Sequence, residues 1–166
     1  MIYDNDETHR RWMSRALAEA EKALELGEAP VGAIIVKNGA VIGRGGNRVI
    51  TLNDPTAHAE IIAIGAAAET TGYERLLETT MYVTLEPCPM CAGAIVLARI
   101  PRLVFGAFDP KMGACGSIYN ICRDVSLNHM VEVYTGVLEP ECSGILTDFF
   151  RSLRDKKLTQ NNGRII

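Results

Sequence analysis

The sequence contains no apolar run that approaches the roughly 20 residues of a membrane-spanning helix. Its first segment, residues 1–11, is polar and carries charges of both signs, so it lacks the apolar centre of a signal peptide. We therefore expect a cytoplasmic protein with no membrane partner. The composition, 48% hydrophobic and 22% charged over 166 residues, is typical of a single globular domain spanning residues 1–166.

The chain also lacks an excess of basic residues. Its net charge of -3 argues against a broad electrostatic surface for nucleic acid. Residues 151–166 are the exception, because they combine one acid, Asp155, with five basic residues: Arg151, Arg154, Lys156, Lys157 and Arg164. This segment is either a solvated helix face with a frayed end or a patch for an anionic partner. Residues 159–166 are polar and interrupted by glycine, which predicts a flexible tail.

A disulfide framework is not indicated either, because the five cysteines are odd in number and Cys88 and Cys91 form a CxxC motif. Reduced thiols fit a reducing compartment better. We expect the other three, Cys115, Cys122 and Cys142, to be small buried side chains, since free cysteine is among the most buried residue types. The weaker alternative for these thiols is oxidation sensing.

What the sequence does contain is an alternation of helix and strand patterns. Apolar residues at helical spacing from Trp12 to Leu24 predict a first helix. Two β-branched segments, Val31 to Val36 and Val41 to Gly45, flank the turn signal Asn38-Gly39 and predict a hairpin. A second helix is expected to run to Gly72, with Thr56 as its N-cap.

The second half of the chain continues this alternation. Strands are predicted at Met81 to Leu85, Leu103 to Ala107 and Val131 to Val137, and helices are predicted from Pro87 and over Glu139 to Lys157. Consecutive strands joined through helices call for right-handed crossovers. The chain therefore has an α/β pattern, in which a largely parallel sheet follows the opening hairpin and helices pack on its faces.

Three residues of types that bind zinc fall at the starts of two predicted helices: His58, Cys88 and Cys91. In a first helical turn the CxxC spacing sets both sulfurs on one side, where the helix N-terminus and a cation hold them as thiolates. A tetrahedral zinc ion with three protein ligands keeps its fourth position open for water. A closed structural site would need a fourth Cys or His, and the sequence contains no second CxxC and no HxxxH pair. The prediction is one catalytic Zn²⁺ per chain.

Glu60 lies two residues after His58 and is free to transfer protons. Zinc lowers the pKa of bound water to about 7, and Glu60 could accept the water proton. It could then return protons, one after the other, to a ring nitrogen and to a departing amine. Each half of the pattern is weak alone, because HxE arises by chance, CxxC also occurs in redox sites and zinc ribbons, and a lone His58 would be a loop or core histidine. Together, in this order, the two halves indicate a catalytic metal centre.

The pairing of HAE at residues 58–60 with PCxxC at residues 87–91 resembles the signature of the zinc-dependent cytidine deaminase superfamily. The chain from Trp12 to Arg151 also resembles one branch, the bacterial tRNA-specific adenosine deaminases. The segments that carry this likeness are Glu28–Ala33, Asn47-Arg48, Asp54–Glu60, Thr84–Cys88, Gly106-Ala107, Gly113-Ala114, Gly116-Ser117 and Asp148–Arg151.

The resemblance implies a three-layer α/β/α cytidine deaminase-like fold with a five-stranded mixed sheet, and a homodimer. It implies hydrolysis of adenosine to inosine at the wobble position of a tRNA anticodon stem-loop, on a base flipped out of its stack. By carry-over, Asn47 would hold the nucleoside, Val31 would form a wall for the base, and Asp109 would meet the anticodon backbone. Phe149 would line a pocket for a neighbouring base, although core packing of the last helix is the alternative for Phe149 and Phe150.

Two other functions remain open. A guanine, cytidine or other free-base or nucleoside deaminase would share all four active-site residues, but the loop with Asp109, Lys111 and residues 113–117 resembles the RNA-acting branch. A zinc-stabilised RNA-binding module without turnover belongs to a different class. It is disfavoured because Glu60 and an open zinc position would have no purpose there.

Overall fold

The computed structural model of the chain describes residues 7–162. Helices and strands alternate through most of this range, as the sequence pattern predicts. The elements are α1 (Glu7–Glu25), β1 (Gly32–Lys37), β2 (Ala40–Gly46), α2 (Ala59–Thr71), β3 (Thr79–Leu85), α3 (Pro89–Leu97), β4 (Arg102–Ala107), a 3-10 helix (Ile121–Arg123), β5 (Glu132–Thr135) and α4 (Glu139–Asn162).

The strands form one mixed sheet in the order β2-β1-β3-β4-β5. β1 is antiparallel to both β2 and β3, whereas β3, β4 and β5 are parallel. The hairpin turn lies at Asn38 and Gly39, whose φ angles of 50° and 73° are both in the left-handed region that such turns require. The predicted hairpin, the parallel strands and the fifth strand are therefore confirmed.

Helices cover both faces of the sheet and give three layers, α/β/α. Side chains alternate along the central strands, so Met81 and Val83 point to one face and Tyr82 to the other. The first face packs against α2 and α3, which bury Ala63, Ala67, Ala92 and Ile95 there. The second face packs against α1 through Trp12 and Met13. No helix in the described part of the chain has the length and apolarity to cross a membrane.

Glycines in β2 let α2 lie close to the sheet. A Cβ atom at Gly43 would lie 2.4 Å from the carbonyl oxygen of Ala63, and one at Gly45 would lie 2.5 Å from that of Ala59. Because these distances are far below van der Waals contact, only glycine permits this approach. The position of the α2 N-terminus thus depends on β2.

Both helices that carry predicted metal ligands start later than predicted. Thr56 does not cap α2, because its hydroxyl donates to Oδ1 of Asp54 (2.7 Å), and His58 occupies the N-cap position. Similarly, α3 starts at Pro89 rather than Pro87, with Cys88 as its N-cap. Proline is favoured at the first helical position, and of the two prolines it is the second that takes this place.

The last helix is longer than predicted. α4 continues from the expected end at Lys157 to Asn162, so the first residues of the segment predicted to be a flexible tail are helical. The helix-favouring side chains lie just before this stretch, at Arg154, Lys156, Lys157 and Leu158, and the added residues extend a helix that is already formed. Residues 163–166 of that predicted tail lie outside the described residues.

Candidate active site

The edge of the sheet where β3 and β4 end gathers the predicted site residues. Because β1 is antiparallel to β3, the start of β1 lies at this same edge, together with the end of β2. The N-termini of α2 and α3 point to it as well, which is where ligands collect in open α/β sheets. His58, Cys88 and Cys91, which are separated by up to 33 positions in the chain, meet here.

The three side chains fit a tetrahedral zinc ion. Nδ1 of His58 lies 3.6 Å from Sγ of Cys88 and 3.5 Å from Sγ of Cys91. Zinc bonds of about 2.3 Å to sulfur and about 2.0 Å to nitrogen, at tetrahedral angles, separate such atoms by about 3.5 Å. Among the described residues, the cluster of possible metal ligands at this site contains these three side chains. The donor set is thus that of a zinc site with an open fourth position.

The electrostatics of the cluster favour a thiolate. The pKa of Cys88 is lowered to about 4, chiefly because Cys91 donates a hydrogen bond to it and His58 adds a second. The same hydrogen bond raises the pKa of the Cys91 thiol. The pKa of His58 is raised, first by its hydrogen bond with Cys88. A divalent cation binds both sulfurs as thiolates, and its binding therefore releases protons from this cluster.

Glu60 lies in the first turn of α2, with 4% of its surface exposed. Burial is the main reason that the pKa of Glu60 is raised, to about 7. A carboxyl group with a pKa near neutrality both accepts and returns protons efficiently at physiological pH. The site therefore places a cluster that could hold a metal ion and a buried carboxyl group suited to proton transfer in one cleft.

A cavity of about 250 Å³ opens beside the cluster. Val31, Asn47 and Asp109, each predicted to contact the substrate, line this cavity together with His58, Glu60 and Cys88. The backbone N–H of Asn47 donates to the carbonyl of Val31 (3.0 Å), so these two lining residues are joined directly. The other lining residues are Ala29, Leu85, Glu86 and Met112.

Phe149 is not among the residues that line this cavity. It is half-buried on α4, and its ring meets that of Phe150 edge-on with centroids 5.3 Å apart. Neither phenylalanine belongs to the buried core, and Phe150 is 48% exposed. The alternative of core packing is therefore wrong for both, and the contact of Phe149 with a neighbouring base stays a prediction.

Sequence reasoning did not assign a role to Glu86 or Met112. Glu86 had a signal, because a charged residue directly after the buried strand β3 must lie at the edge of the sheet. Met112 had none, since its place in the cavity depends on the path of a loop. Cys115, Cys122 and Cys142 are buried as expected, and the sulfurs of the first two lie 3.2 Å apart.

Comparison with known proteins identifies the family. A family model described as MafB19-like deaminase matches residues 7–154. The tRNA-specific adenosine deaminase of Bacillus subtilis (strain 168) is 51% identical over 146 residues, which cover 88% of this chain and 91% of that protein. This chain belongs to the tRNA-specific adenosine deaminase family. The Haemophilus influenzae protein of the same name is also 51% identical, over 152 residues that cover 91% of this chain and 88% of its own.

Solved structures agree with this family. A structure from a study of A-to-I editing by tRNA:A34 deaminases at the wobble position matches with a TM-score of 0.79 and 50% identity, over 82% of this chain and 99% of the other. The guanine deaminase of Bacillus subtilis matches less closely, with a TM-score of 0.60 and 33% identity over 89% of this chain and 94% of its own. The cytidine deaminase-like α/β/α fold with a five-stranded mixed sheet is confirmed.

Proposed function

We propose that this protein hydrolyses adenosine to inosine, with release of ammonia, at the wobble position of a tRNA anticodon. The observation that carries the proposal is the convergence of His58, Cys88 and Glu60 on one cavity, with Cys91 clustered beside them, in a chain about half identical to tRNA-specific adenosine deaminases. Hydrolysis replaces the amino group at C6 of adenine with an oxygen from water, so the site must activate water and protonate the leaving amine.

One zinc ion per chain would be held by His58, Cys88 and Cys91. When bound, zinc supplies Lewis-acid chemistry, which lowers the pKa of water to about 7. The carboxylate of Glu60 takes a proton from the attacking water and delivers it to the purine ring nitrogen. It then takes the remaining proton of that water from the oxygen added at C6 and gives it to the departing amine, so one side chain acts as base and acid in turn and ammonia leaves as C6=O forms.

The cavity suits a flipped purine better than a stacked one. Val31 supplies an apolar wall for the base, and Asn47 supplies an amide that holds the nucleoside. Asp109 lies at the same cavity and would meet the backbone of the anticodon loop. Phe149 would stack with a neighbouring base, because unpaired bases in RNA loops are commonly held by aromatic side chains.

The same family relationship supports a proposal for the partner, the oligomeric state and the location of this protein. The partner would be the anticodon stem-loop of a tRNA. The basic face of α4, which carries Arg151, Arg154, Lys156 and Lys157, would lie near its phosphates. The chain would form a single deaminase domain over residues 1–166, assemble as a homodimer and act in the cytoplasm. It would need no membrane partner.

The test is to incubate the zinc-loaded protein separately with an anticodon stem-loop, guanine, adenosine and cytidine, and to measure ammonia together with the base product. We expect inosine and ammonia from the stem-loop alone. A stem-loop with guanosine in place of the wobble adenosine is the matched control. The guanine deaminase alternative has support from the structural likeness to such an enzyme. Turnover of free guanine without turnover of the stem-loop would establish that alternative.

A further inference from the structure

A buried carboxylate helps to hold the loop that closes one side of the active-site cavity. This loop, residues 108–119, follows β4 and contributes Asp109 and Met112 to the cavity lining. It contains no helix or strand, and its regular pairing is limited to one isolated bridge between Cys115 and Asn120. Backbone hydrogen bonds close its turns, as from Ile118 and Tyr119 to the carbonyl of Gly113, and Ala114 donates to the carbonyl of Pro87 (2.8 Å). Side-chain contacts hold the rest of the loop against the end of β3. Glu86, directly after β3, makes these contacts.

Glu86 is 2% exposed and accepts hydrogen bonds from four donors, all of which lie in the 108–119 loop. Its Oε2 accepts from the backbone N–H of Asp109 (3.0 Å), and its Oε1 accepts from those of Cys115 (3.1 Å) and Ser117 (3.0 Å). The Ser117 hydroxyl also donates to Oε2. A carboxylate offers about four lone-pair sites, so the loop fills its acceptor capacity.

The loop is folded closely around this carboxylate. A Cβ atom at Gly113 would lie 2.4 Å from Oε2 of Glu86 and 2.5 Å from the carbonyl oxygen of Asp109. The N–H of Gly113 donates to that same carbonyl (3.0 Å), which tightens the turn. Oδ1 of Asp109 accepts from the N–H groups of Lys111 (2.9 Å) and Met112 (3.2 Å). Because Glu86 fixes Asp109 and Asp109 bonds to Met112, Glu86 also fixes the position of Met112.

We infer that Glu86 is a positioning residue for the RNA substrate, an inference that rests on the proposed deamination of a tRNA anticodon. It fixes Asp109 and Met112 at the cavity and so determines how tightly the flipped nucleotide is held. Because its oxygens are all engaged by the loop, it takes no part in proton transfer, which belongs to Glu60. Loss of its hold therefore weakens substrate binding more than it slows the chemical step.

The decisive variant is Glu86→Gln, which keeps the size of the side chain but places an NH₂ group against backbone donors. We expect KM for the anticodon stem-loop to rise about tenfold, the size of effect that one hydrogen bond to a charged group produces, with kcat within about twofold of wild type. Zinc content stays at one per chain. Amide hydrogen exchange at Asp109, Cys115 and Ser117 accelerates, while exchange in β3 is unchanged.

Two further variants test the same mechanism from the loop side. Ser117→Ala removes one donor and should raise KM by a smaller factor. Gly113→Ala leaves Glu86 intact but pushes the loop away, so it should raise KM as Glu86→Gln does. The double variant Glu86→Gln/Gly113→Ala should raise KM no further than the larger of the two single effects, because both changes release the same loop. If Glu86→Gln does not fold, Ser117→Ala and Gly113→Ala carry the KM prediction.

A loss of kcat at unchanged KM in Glu86→Gln would place Glu86 in the chemistry and overturn the inference. Unchanged KM and unchanged exchange in the three variants would also overturn it. If the wild-type protein leaves the stem-loop unmodified, the proposed function fails instead. Hydrogen exchange still reports in that case whether Glu86 holds the loop, so the two failures are distinguishable.

Discussion

His58 and Glu60 are two residues apart, yet the start of α2 gives them opposite surroundings. His58 is the N-cap with extended backbone (φ -75°, ψ 154°), so its half-buried ring reaches the cysteines. Glu60 is already in the helix and is 4% exposed. His58 is therefore suited to bind a cation. Glu60 is suited to hold a proton, because burial raises its pKa.

This division of roles predicts opposite results for two alanine variants. Glu60→Ala should retain about one zinc per chain but lose deamination by at least about 100-fold, since general acid–base catalysis contributes that much or more. Cys88→Ala should lose zinc itself, because it removes one of three ligands. Metal content by mass spectrometry and inosine formation distinguish the two. Cys142→Ala, a buried thiol outside the cluster, is the control and should keep its zinc. Normal turnover in Glu60→Ala would contradict its role.

Glu28 makes a pH-dependent contribution to stability. It is 1% exposed, and its Oε1 accepts from the N–H (2.6 Å) and the hydroxyl (2.7 Å) of Thr51. Burial works to raise the pKa of Glu28, but the bonds from Thr51 outweigh it, and the pKa is lowered. Because the folded-state pKa lies below the unfolded-state value, the stabilisation is present above about pH 4.5 and is lost as pH falls through the folded-state pKa.

We therefore expect Glu28→Gln to lower the free energy of unfolding by about 1.5–3 kcal/mol at pH 7, the range of a hydrogen bond to a charged group. The difference from wild type should shrink as pH falls below about 4.5, since protonated Glu28 resembles glutamine. Urea unfolding at pH 7, 5 and 3.5 measures this. Glu25→Gln removes the same charge from an exposed position and controls for net charge. A difference that does not vary with pH would contradict the assignment.

At the scale of helices and strands, β2 and α2 form a unit that positions His58. Gly45 faces the first turn of α2, next to His58. Gly45→Ala should force α2 away from the sheet, lower stability by about 1–3 kcal/mol, as overpacking does, and weaken zinc binding. Gly65→Ala lies on the exposed side of α2 with open space around its Cβ and should stabilise by about 0.5–1 kcal/mol. Thermal unfolding and zinc titration of both variants test this. Equal changes in stability and in zinc affinity in the two variants would refute it.

The strands could be predicted from the sequence because side-chain alternation and burial act along the strand itself. The predicted Leu103 to Ala107 differs from β4 by one residue at one end. Helix starts were less predictable, because the Thr56 side chain could either cap α2 or bond to Asp54. In the structure it bonds to Asp54. The metal ligands were predictable from residue type and spacing. The place of Glu86 at the edge of the sheet had a sequence signal, but its contacts did not, because its donors lie 23 to 31 residues later in the chain and only the fold brings them to it.

At the scale of the whole molecule, charge is unevenly distributed. The net charge is -3, whereas Arg151, Arg154, Lys156 and Lys157 all lie exposed on α4. Arg151 forms an ion pair with Asp148 (3.2 Å), but both side chains are more than 60% exposed, so this pair adds little stability. The basic face of α4 is therefore available to an anionic partner without a large cost to folding.

If this face contacts tRNA phosphates, replacing Arg151 and Arg154 with glutamine should weaken stem-loop binding. The plot of log affinity against log salt concentration should flatten by about 1.4 to 1.8, because each phosphate contact releases counterions. Arg75→Gln with Arg102→Gln is a matched control. Arg75 precedes β3 and Arg102 begins β4, so both lie at the edge of the sheet opposite the active site. Fluorescence anisotropy over a range of salt concentrations measures both double variants. Equal flattening in the two would indicate an effect of net charge alone, and an unchanged slope in Arg151/Arg154 would mean that this face of α4 is merely solvated.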